Sequence, residues 1–340
     1  MSDPILTIGI PTYNGAKHIK ETLDSIVAQI KGIEQEIEIV ISDNASTDET
    51  PQIIKEYQSQ YPIIRYFRNE ENLGFDKNLD LLFRRAQGKY VWILGDDDVI
   101  LSHGIKKVFN VIEEHPDVAA IFVNWSNYSC DLKRCNVERA VKLDNDLLCI
   151  SANEFLSTVK LNPVLISSNV ISRNHWQNCF RDSYLGSGWI HYEILLHLVA
   201  DYKSYCIASP FVIYRSGDIR WDKQGEQSIV NNISLLRIIK SLPQNRYSKK
   251  IVKSLVKITF SSIPQTIIIC KMKGLKLKQL HLGKMVVNYG FYLSFWMIDF
   301  PLLLIPKDLY TFVFKINKIR FINRINKKLI KVFAYVFTGT

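Results

Sequence analysis

Short apolar runs alternate with segments of helical periodicity over the first 125 residues. The apolar runs, rich in β-branched and aromatic residues, are Ile5–Ile10, Ile37–Ile41, Ile63–Phe67, Tyr90–Leu94 and Val118–Val123. Helical patterns fill the intervals, at about Ala16–Ile30, Asp48–Tyr61, Asp76–Ala86 and His103–Glu114. Continuous apolar strands that alternate with helices are typical of a mostly parallel sheet with both faces covered. The pattern therefore predicts a doubly wound α/β fold.

After about residue 130 the regular alternation stops. Helical patterns recur at Ala152–Lys160 and Gly188–Ala200, and strand patterns at Val164–Ser172 and Tyr205–Tyr214. The polar stretch Arg215–Gly225 is typical of a mobile surface loop. We therefore expect an added half-domain over one edge of the sheet. The expected divisions of the chain are residues 1–125, 126–230 and 231–340.

Charge is distributed unevenly along the chain. The 340 residues carry a net charge of +10, but 17 lysines and arginines and only two acids, Asp299 and Asp308, lie from Lys249 to the end. A basic tail on an acidic-to-neutral body is typical of contact with a polyanion or an anionic membrane. Nucleic acid is the less favoured partner, because no zinc pattern, helix-turn-helix or RNA-binding motif accompanies the charge.

An apolar segment, Met285–Ile305, lies within this basic tail. It is long enough to span a bilayer, but Asp299 and Pro301 lie inside it and lysines flank both of its ends. A single span cannot leave both basic flanks on the cytoplasmic side. We therefore expect a re-entrant or interfacial segment, while a helical hairpin buried against the α/β body stays open.

The segment Ile319–Phe333 predicts a helix with a basic face. Its arginines and lysines fall within one sector of the helical wheel, and its apolar residues cover the rest. Such a helix suits an anionic leaflet, although the same pattern serves a helix packed on its own protein. The chain begins without a basic, apolar leader, and its six cysteines show no metal-binding spacing. We therefore expect a non-secreted protein with reduced thiols.

Polar loops follow four of the predicted strands and carry the candidate chemistry. They read PTYNG (11–15), SDNASTD (42–48), RNEENLGFDKN (68–78) and GDDD (95–98). In doubly wound sheets, ligands bind at the carboxyl ends of the strands, which is where these loops lie. Turns and helix caps use the same residue types, but four such loops at successive strand ends favour a binding site.

Three consecutive carboxylates, Asp96, Asp97 and Asp98, follow one of the buried strands. They repel one another unless a cation lies beside them. Mn²⁺ or Mg²⁺ is the expected cation, because hard divalent ions take one or two carboxylates together with substrate phosphates. A solvated acidic turn that caps the next helix is the alternative, but the position of these acids among the other loops favours a metal site.

Together these motifs resemble those of family-2 glycosyltransferases of the GT-A fold. The residues that carry the resemblance are PTYN (11–14), ISDNASTD (41–48), NLG (72–74) and GDDD (95–98). The stretch YLGSGWIHY (184–192) and the segment Arg215–Gly225 are more narrowly similar to bacterial O-antigen abequosyltransferases and related sugar transferases. The resemblance covers about residues 4–230.

The resemblance implies a nucleotide-sugar-binding half in residues 1–125, an acceptor-binding half in residues 126–230 and a membrane-associated helical tail in residues 231–340. The loop Pro11, Thr12, Tyr13 and Asn14 would lie along the nucleotide, and Asp43 would accept hydrogen bonds from its base or ribose. The other implied donor-binding residues are Asn72, Gly74, Asp76, Asp96, Arg215 and Asp218. The last two belong to a loop that would close over the pyrophosphate. Asp97 and Asp98 would hold the Mn²⁺ or Mg²⁺, with the register open by one residue.

A general base is expected at the start of a helix in the second half of the resembling region. His191 stands where many relatives carry an acidic residue. A neutral imidazole is a reasonable base near pH 7. Glu193, two residues further on, is the alternative, and a purely structural role for both stays open.

The resemblance further implies a metal-dependent, inverting hexosyl or deoxyhexosyl transfer from a nucleotide sugar to a lipid-linked oligosaccharide, in O-antigen or surface-polysaccharide synthesis. The enzyme would act at the cytoplasmic face of the inner membrane, as a peripheral or monotopic protein with its tail on anionic lipid. An inactive, membrane-docked subunit that binds nucleotide sugars is one alternative. A sugar nucleotidyltransferase is another, but it would need a glycine-rich basic phosphate loop that PTYNGAK (11–17) lacks.

Overall fold

The structure is a computed structural model that describes residues 3–179, 185–217, 226–307 and 309. Within these residues, ten strands form one mixed β-sheet. The strands are β1 (Leu6–Thr12), β2 (Ile37–Asp43), β3 (Ile64–Arg68), β4 (Tyr90–Ile93), β5 (Val99–Ile100), β6 (Ala120–Tyr128), β7 (Cys135–Val137), β8 (Leu147–Cys149), β9 (Asn169–Ser172) and β10 (Ser204–Arg215). Their order across the sheet is β3-β2-β1-β4-β9-β6-β10-β5, with β7 paired to β6 and β8 to β10.

The first half of the sheet is parallel. Strands β3, β2, β1 and β4 pair in parallel, β9 pairs antiparallel with β4 and with β6, and β10 pairs parallel with β6. The predicted mostly parallel α/β sheet is therefore confirmed. The carboxyl ends of β1, β2 and β4 lie side by side, which brings together the loops that follow them.

Helices cover both faces of the sheet. They are α1 (Ile19–Val27), α2 (Thr50–Gln60), α3 (Phe75–Arg85), α4 (Gly104–Glu114), α5 (Ala152–Val159), α6 (Arg173–Asn178) and α7 (Ile190–Asp201). Strands β1 and β2 are buried along all of their residues, which explains why they are continuous apolar runs. One core cluster joins them to α1 and α4, and a second joins α3 to α7, where Phe83 stacks on Trp176 with ring centroids 3.6 Å apart.

The segment 164–172 differs from its predicted strand. One short 3₁₀ turn, Asn162–Val164, ends at its first residue, and a second, Ile166–Ser168, lies inside it. Only its last four residues form β9. The side chain of Asn169 donates hydrogen bonds to three carbonyls, those of Pro163, Leu165 and Ile166, and so holds the turns. An apolar run cannot distinguish a strand from a buried irregular segment by its periodicity.

By contact density the chain forms two units, residues 1–220 with 242–251 and residues 221–241 with 252–340. The second, here called the helical unit, contains α8 (Glu226–Ser241), most of α9 (Lys249–Met272), α10 (Leu282–Tyr289), a π-helical turn (Phe295–Asp299) and α11 (Phe300–Leu304). Its core is a separate apolar cluster that includes Ile233, Ile267, Met285, Tyr289 and Phe295. The predicted boundaries at residues 125 and 230 stay predictions.

Within the described residues, α9 is the one helix with the length and hydropathy of a membrane span, and 44% of its most apolar window is buried inside the protein. Length and composition of this kind also occur in core helices of soluble proteins, so α9 is weak evidence for a span. The apolar segment Met285–Ile305 is broken into α10, the π-helical turn and α11. The predicted basic helix Ile319–Phe333 lies outside the described residues.

Candidate active site

The loops after β1 and β2 are joined by hydrogen bonds. The backbone N–H of Asn14 donates to Ser46 Oγ at 2.9 Å, and Asn14 Oδ1 accepts from the N–H of Thr47 at 2.8 Å. Pro11 and Thr12 are buried, whereas Tyr13 is 42% exposed. An exposed aromatic ring at a strand end can stack on a nucleotide base, so the predicted role of Tyr13 remains compatible with its position.

Asp43 is fully buried at the end of β2. Its Oδ1 accepts from the N–H of Ser46 at 2.8 Å, and its Oδ2 accepts from the phenol of Tyr66 at 2.7 Å. The Arg68 guanidinium lies 3.7 Å from the same Oδ2. Both oxygens therefore hold the loop from inside, and the expected contact between Asp43 and the nucleotide stays a prediction.

Asparagines connect the loop after β2 to the start of α3. Asn44 Nδ2 donates to Asn72 Oδ1 at 2.8 Å, and Asn44 Oδ1 accepts from the N–H of Leu73 at 2.9 Å. Gly74 follows with φ of +81° and has open space where a Cβ would be. The need for glycine at this position comes from the backbone conformation. Asn72 and Gly74 are exposed at this edge of the sheet.

Asp76 faces the loop before α7 rather than open solvent. Its Oδ2 accepts from the N–H groups of Gly186 and Gly188, each at 2.8 Å, and its Oδ1 accepts from the N–H of Ile190 at 3.3 Å. Burial raises the pKa of Asp76, and these hydrogen bonds oppose the rise. The sequence assigned Asp76 to the donor pocket; the structure instead uses both of its oxygens to hold the start of α7.

The acidic turn Asp96–Asp98 lies against the first loop and the 3₁₀ turns. Asp96 Oδ2 accepts from Thr12 Oγ1 at 2.5 Å. Asp98 Oδ2 accepts from the hydroxyl of Ser167, and Asp98 Oδ1 accepts from the N–H of Arg215 at 3.1 Å. Burial, together with the charge of Asp97, raises the pKa of Asp98 to about 8. Burial and the neighbouring carboxylates therefore disfavour the charged form of Asp98.

Asp97 is the most accessible of the three acids, being half-buried where its neighbours are buried. A Cβ placed on Gly95 would lie 3.2 Å from Asp97 Oδ1 and 3.1 Å from Asp98 Oδ2. The two carboxylates thus approach the same small volume above Gly95. A larger residue at position 95 would press on both oxygens.

These acids fit a hard divalent cation by their donor chemistry. Carboxylate oxygens are ligands that Mn²⁺ and Mg²⁺ prefer. Across the described ranges, no group of three or more His, Cys, Asp or Glu side chains converges as a complete metal site. The metal site at the acidic turn therefore stays a prediction.

Arg215 ends β10 and is not part of a loop, contrary to the prediction. Its Nε donates to the carbonyl of Asp97 at 2.8 Å, its Nη1 to the carbonyl of Cys130 at 2.5 Å, and its Nη2 to the carboxylate of Glu21. The side chain is 2% exposed. Arg215 therefore anchors the acidic turn instead of reaching over a pyrophosphate. Asp218 lies outside the described residues.

The first turn of α7 carries both candidate bases. His191 is 1% exposed, and its Nε2–H donates to the carbonyl of Val164 at 3.1 Å, which leaves a buried Nδ1 without a hydrogen-bond partner. Burial lowers the pKa of His191 to about 4. One carboxylate oxygen of Glu193 is likewise buried without a partner. Burial, with the charge of Asp76, raises the pKa of Glu193 to about 7, against a hydrogen bond from Ser187.

The 3₁₀ turns connect the acidic turn to α7. Ser167 contacts Asp98 and also accepts from the N–H of Gly95 at 2.8 Å, while Val164, three residues earlier, holds His191. Phe75, the first residue of α3, also contacts α7, because its ring meets the imidazole of His191 edge-on, with ring centroids 5.8 Å apart. The sequence analysis missed Ser167 and Glu21, because no local motif distinguishes them.

Comparisons with known proteins identify the family of the chain. The family model of glycosyl transferase family 2 matches residues 7–149. The chain is 30% identical over 263 residues to abequosyltransferase RfbV of Salmonella typhimurium, an alignment that covers 73% of this chain and 77% of RfbV.

Solved structures show the same fold. The crystal structure of S. aureus TarS 1–349 in complex with UDP-GlcNAc aligns over 84% of this chain and 89% of TarS 1–349, with a TM-score of 0.58 and 15% identity. The mannosyltransferase PcManGT from Pyrobaculum calidifontis, in complex with GDP-Man and Mn²⁺, aligns over 87% of this chain and 83% of its own, with a TM-score of 0.52 and 17% identity. The predicted GT-A-like fold is thereby confirmed.

Proposed function

We propose that this chain, which belongs to glycosyl transferase family 2, is a metal-dependent, inverting glycosyltransferase. It would move a hexosyl or deoxyhexosyl group from a nucleotide sugar to a lipid-linked oligosaccharide. The carrying observation is the acidic turn, where Asp97 and Asp98 approach one volume beside Ser167 and where Thr12 holds Asp96. The resemblance to O-antigen enzymes, and the relative RfbV, support surface-polysaccharide synthesis with an abequosyltransferase-like donor.

Asp97 is the proposed direct ligand of Mn²⁺ or Mg²⁺, with Asp98 as the second carboxylate. A bound cation would neutralise the charge that develops on the departing nucleoside diphosphate. Asp96, held by Thr12, would orient the sugar on the side of the first loop. Arg215 and Ser167 keep the carboxylates in place, so that the turn does not reorganise when the donor binds.

Glu193 is the proposed general base. An inverting transfer requires one group to take the proton of the acceptor hydroxyl as that oxygen attacks the anomeric carbon. A base works best with a pKa near the working pH, and Glu193, at about 7, satisfies this better than His191, at about 4. Glu193 as a whole is half-buried, and it is the proposed acceptor of that proton. His191 stays neutral and packs against Phe75.

The pH dependence of kcat/KM distinguishes the two bases. With Glu193 as the base, activity is expected to rise through an acid limb near pH 7, because only the ionised carboxylate accepts a proton. With His191, the limb would lie near pH 4. Asp76→Asn is expected to move the limb to lower pH, since the charge of Asp76 helps to raise the pKa of Glu193.

The profile is measured at two saturating Mn²⁺ concentrations. A limb that moves with the metal concentration would belong to the acidic turn and would contradict the assignment to Glu193. Asp80→Asn serves as the matched variant, because Asp80 is also a buried acid of α3 and accepts hydrogen bonds from Arg84 and Trp176. Its limb is expected to stay at the wild-type pH.

Donor binding tests the function as a whole. CDP-, dTDP-, UDP- and GDP-sugars are added to the purified protein with Mn²⁺ or with a chelator, and thermal stability is recorded. One nucleotide class is expected to raise Tm only with metal, because ligand at 100 times Kd adds about 2.7 kcal/mol to the native state. Stabilisation by none of them, in a folded protein with metal present, would contradict the proposal. Metal-dependent release of free pyrophosphate from a nucleoside triphosphate and a sugar phosphate would point to a nucleotidyltransferase.

The proposed place of action is the cytoplasmic face of the inner membrane, where a lipid-linked acceptor is available. The basic C-terminal region supports this location, with the protein peripheral or monotopic on anionic lipid.

A further inference from the structure

The segment 287–304 of the helical unit has one buried and one exposed apolar face. Its buried side contributes Tyr289, Phe295 and Leu303 to the core of the unit. The same segment exposes six large apolar side chains, which we call the apolar edge: Val287 (68% exposed), Phe291 (91%), Leu293 (65%), Trp296 (43%), Met297 (69%) and Leu304 (55%). So many large exposed apolar residues in one short segment mark an interaction surface.

The apolar edge is held by the fold of the helical unit. The indole N–H of Trp296 donates to the carbonyl of Gly290 at 2.8 Å, so the polar atom of this side chain is satisfied within the protein. The Trp296 ring packs on Phe300, with centroids 5.1 Å apart. Asp299, the acid that argued against a single bilayer span, is 3% exposed and does not contribute charge to this surface.

Lysines precede and follow the apolar edge along the chain, and no acid is exposed from Lys249 to Lys307. From Lys249 to Lys307 the sequence has ten lysines and one acid, the buried Asp299. Lys273, Lys276, Lys278, Lys284 and Lys307 are exposed. An open groove of about 460 Å³ is lined by Lys278, His281 and Lys284 together with apolar Leu277 and Leu282. Basic and apolar groups combined in this way suit a phosphate headgroup and the acyl chains below it.

We propose that the apolar edge enters the headgroup–acyl boundary of an anionic bilayer, while Lys276, Lys278, Lys284 and Lys307 contact lipid phosphates. Aromatic and aliphatic side chains at the interface, with lysines on the flanks, are the general form of monotopic attachment. The attachment would hold the enzyme at the surface that carries a lipid-linked acceptor, and in that respect it rests on the proposed function. It does not depend on the predicted basic helix 319–333.

Vesicle binding tests this surface in the full-length protein. Vesicles of phosphatidylglycerol and phosphatidylcholine are compared with vesicles of phosphatidylcholine alone by co-sedimentation. The double variant Phe291→Ser, Met297→Ser is expected to bind the anionic vesicles about tenfold more weakly or worse, as is Lys278→Gln, Lys284→Gln. Ile150→Ser is the matched control, because Ile150 is 74% exposed in the other unit, and it is expected to bind like the wild type.

Insertion has its own signal in Trp296. The emission of Trp296 is the part of the tryptophan emission that is lost in Trp296→Phe. Brominated acyl chains are expected to quench this part, because quenching requires contact with the acyl region. Full vesicle affinity in both double variants, or no quenching of Trp296, would overturn the proposal. A variant that changes its oligomeric state in the absence of lipid but keeps its vesicle affinity would also overturn the proposal, since the apolar edge would then join copies of the chain.

Two further readouts keep the outcomes apart. The thermal stability of each variant shows whether it is folded, and Leu293→Ser replaces any double variant that is not. Nucleotide-sugar stabilisation is recorded for the same proteins. Vesicle binding without donor binding would contradict the proposed function alone, and donor binding with unimpaired vesicle affinity in the variants would contradict the membrane surface alone.

Discussion

Replacing Asp97 with alanine is expected to abolish Mn²⁺-dependent donor binding and to lower turnover by about 10³ or more. A metal that stabilises charge on the leaving group contributes several kcal/mol to the transition state, and each 1.36 kcal/mol is a factor of ten in rate. Asp97 is the accessible member of the acidic turn, and its Oδ1 and the Oδ2 of Asp98 approach the same volume above Gly95. No other half-buried acid of the turn can take over its role.

The measurement combines isothermal titration of Mn²⁺ and donor with a turnover assay. Asp97→Asn keeps the volume of the side chain and removes its charge, so a similar loss in this variant assigns the effect to the charge. Asp144→Ala is the control, because Asp144 is an exposed acid that belongs to none of the four loops that carry the site. Metal-dependent binding retained by both Asp97 variants would rule out Asp97 as the ligand and shift the metal to Asp96 or Asp98.

Replacing Glu193 with glutamine is expected to lower turnover by about 10²–10⁴, with donor affinity little changed. Glutamine matches the carboxylate in shape and can still accept the hydrogen bond from Ser187, but it cannot take a proton. The start of α7 should therefore remain in place, held by Asp76. His191→Asn, by contrast, is expected to cost less than tenfold, because a buried imidazole with a pKa of about 4 contributes to packing.

Single-turnover kinetics and donor titrations on both variants separate chemistry from binding. Glu113→Gln, an exposed glutamate of α4, is the control and is expected to leave both quantities unchanged. The opposite ranking, with a large loss in His191→Asn and a small one in Glu193→Gln, would return the role of base to His191. Large losses of donor affinity in both would mean that the first turn of α7 serves the donor site.

The structure changes the interpretation of several residues that the motifs singled out. Arg215 and Asp76 were expected at the donor, yet the Arg215 side chain holds the acidic turn, and the Asp76 carboxylate holds the start of α7. Arg215 thus positions the acidic turn and Asp76 positions the start of α7, the two places that carry the groups proposed to act directly. The segment Met285–Ile305 was expected either at the membrane or buried, and its two faces are divided between an exposed edge and a core.

The sequence by itself determined the α/β architecture and the loops in which the site is formed. Apolar periodicity is a local property, so strands such as β1 and β2 could be predicted within a few residues, and parallel topology places the loops that follow them at one edge. Three adjacent acids predict a need for positive charge wherever they fold.

The tertiary structure alone decided which side chains hold that site together. Ser167 reaches Asp98 across 69 residues of sequence, and Arg215 reaches Glu21 across 194. Neither contact has a local signature, because a serine in an apolar run and a glutamate on a helix surface are common residues in common places. The pKa difference between His191 and Glu193 has the same origin. It depends on burial and on the distant Asp76, which the chain brings to α7 only when it folds.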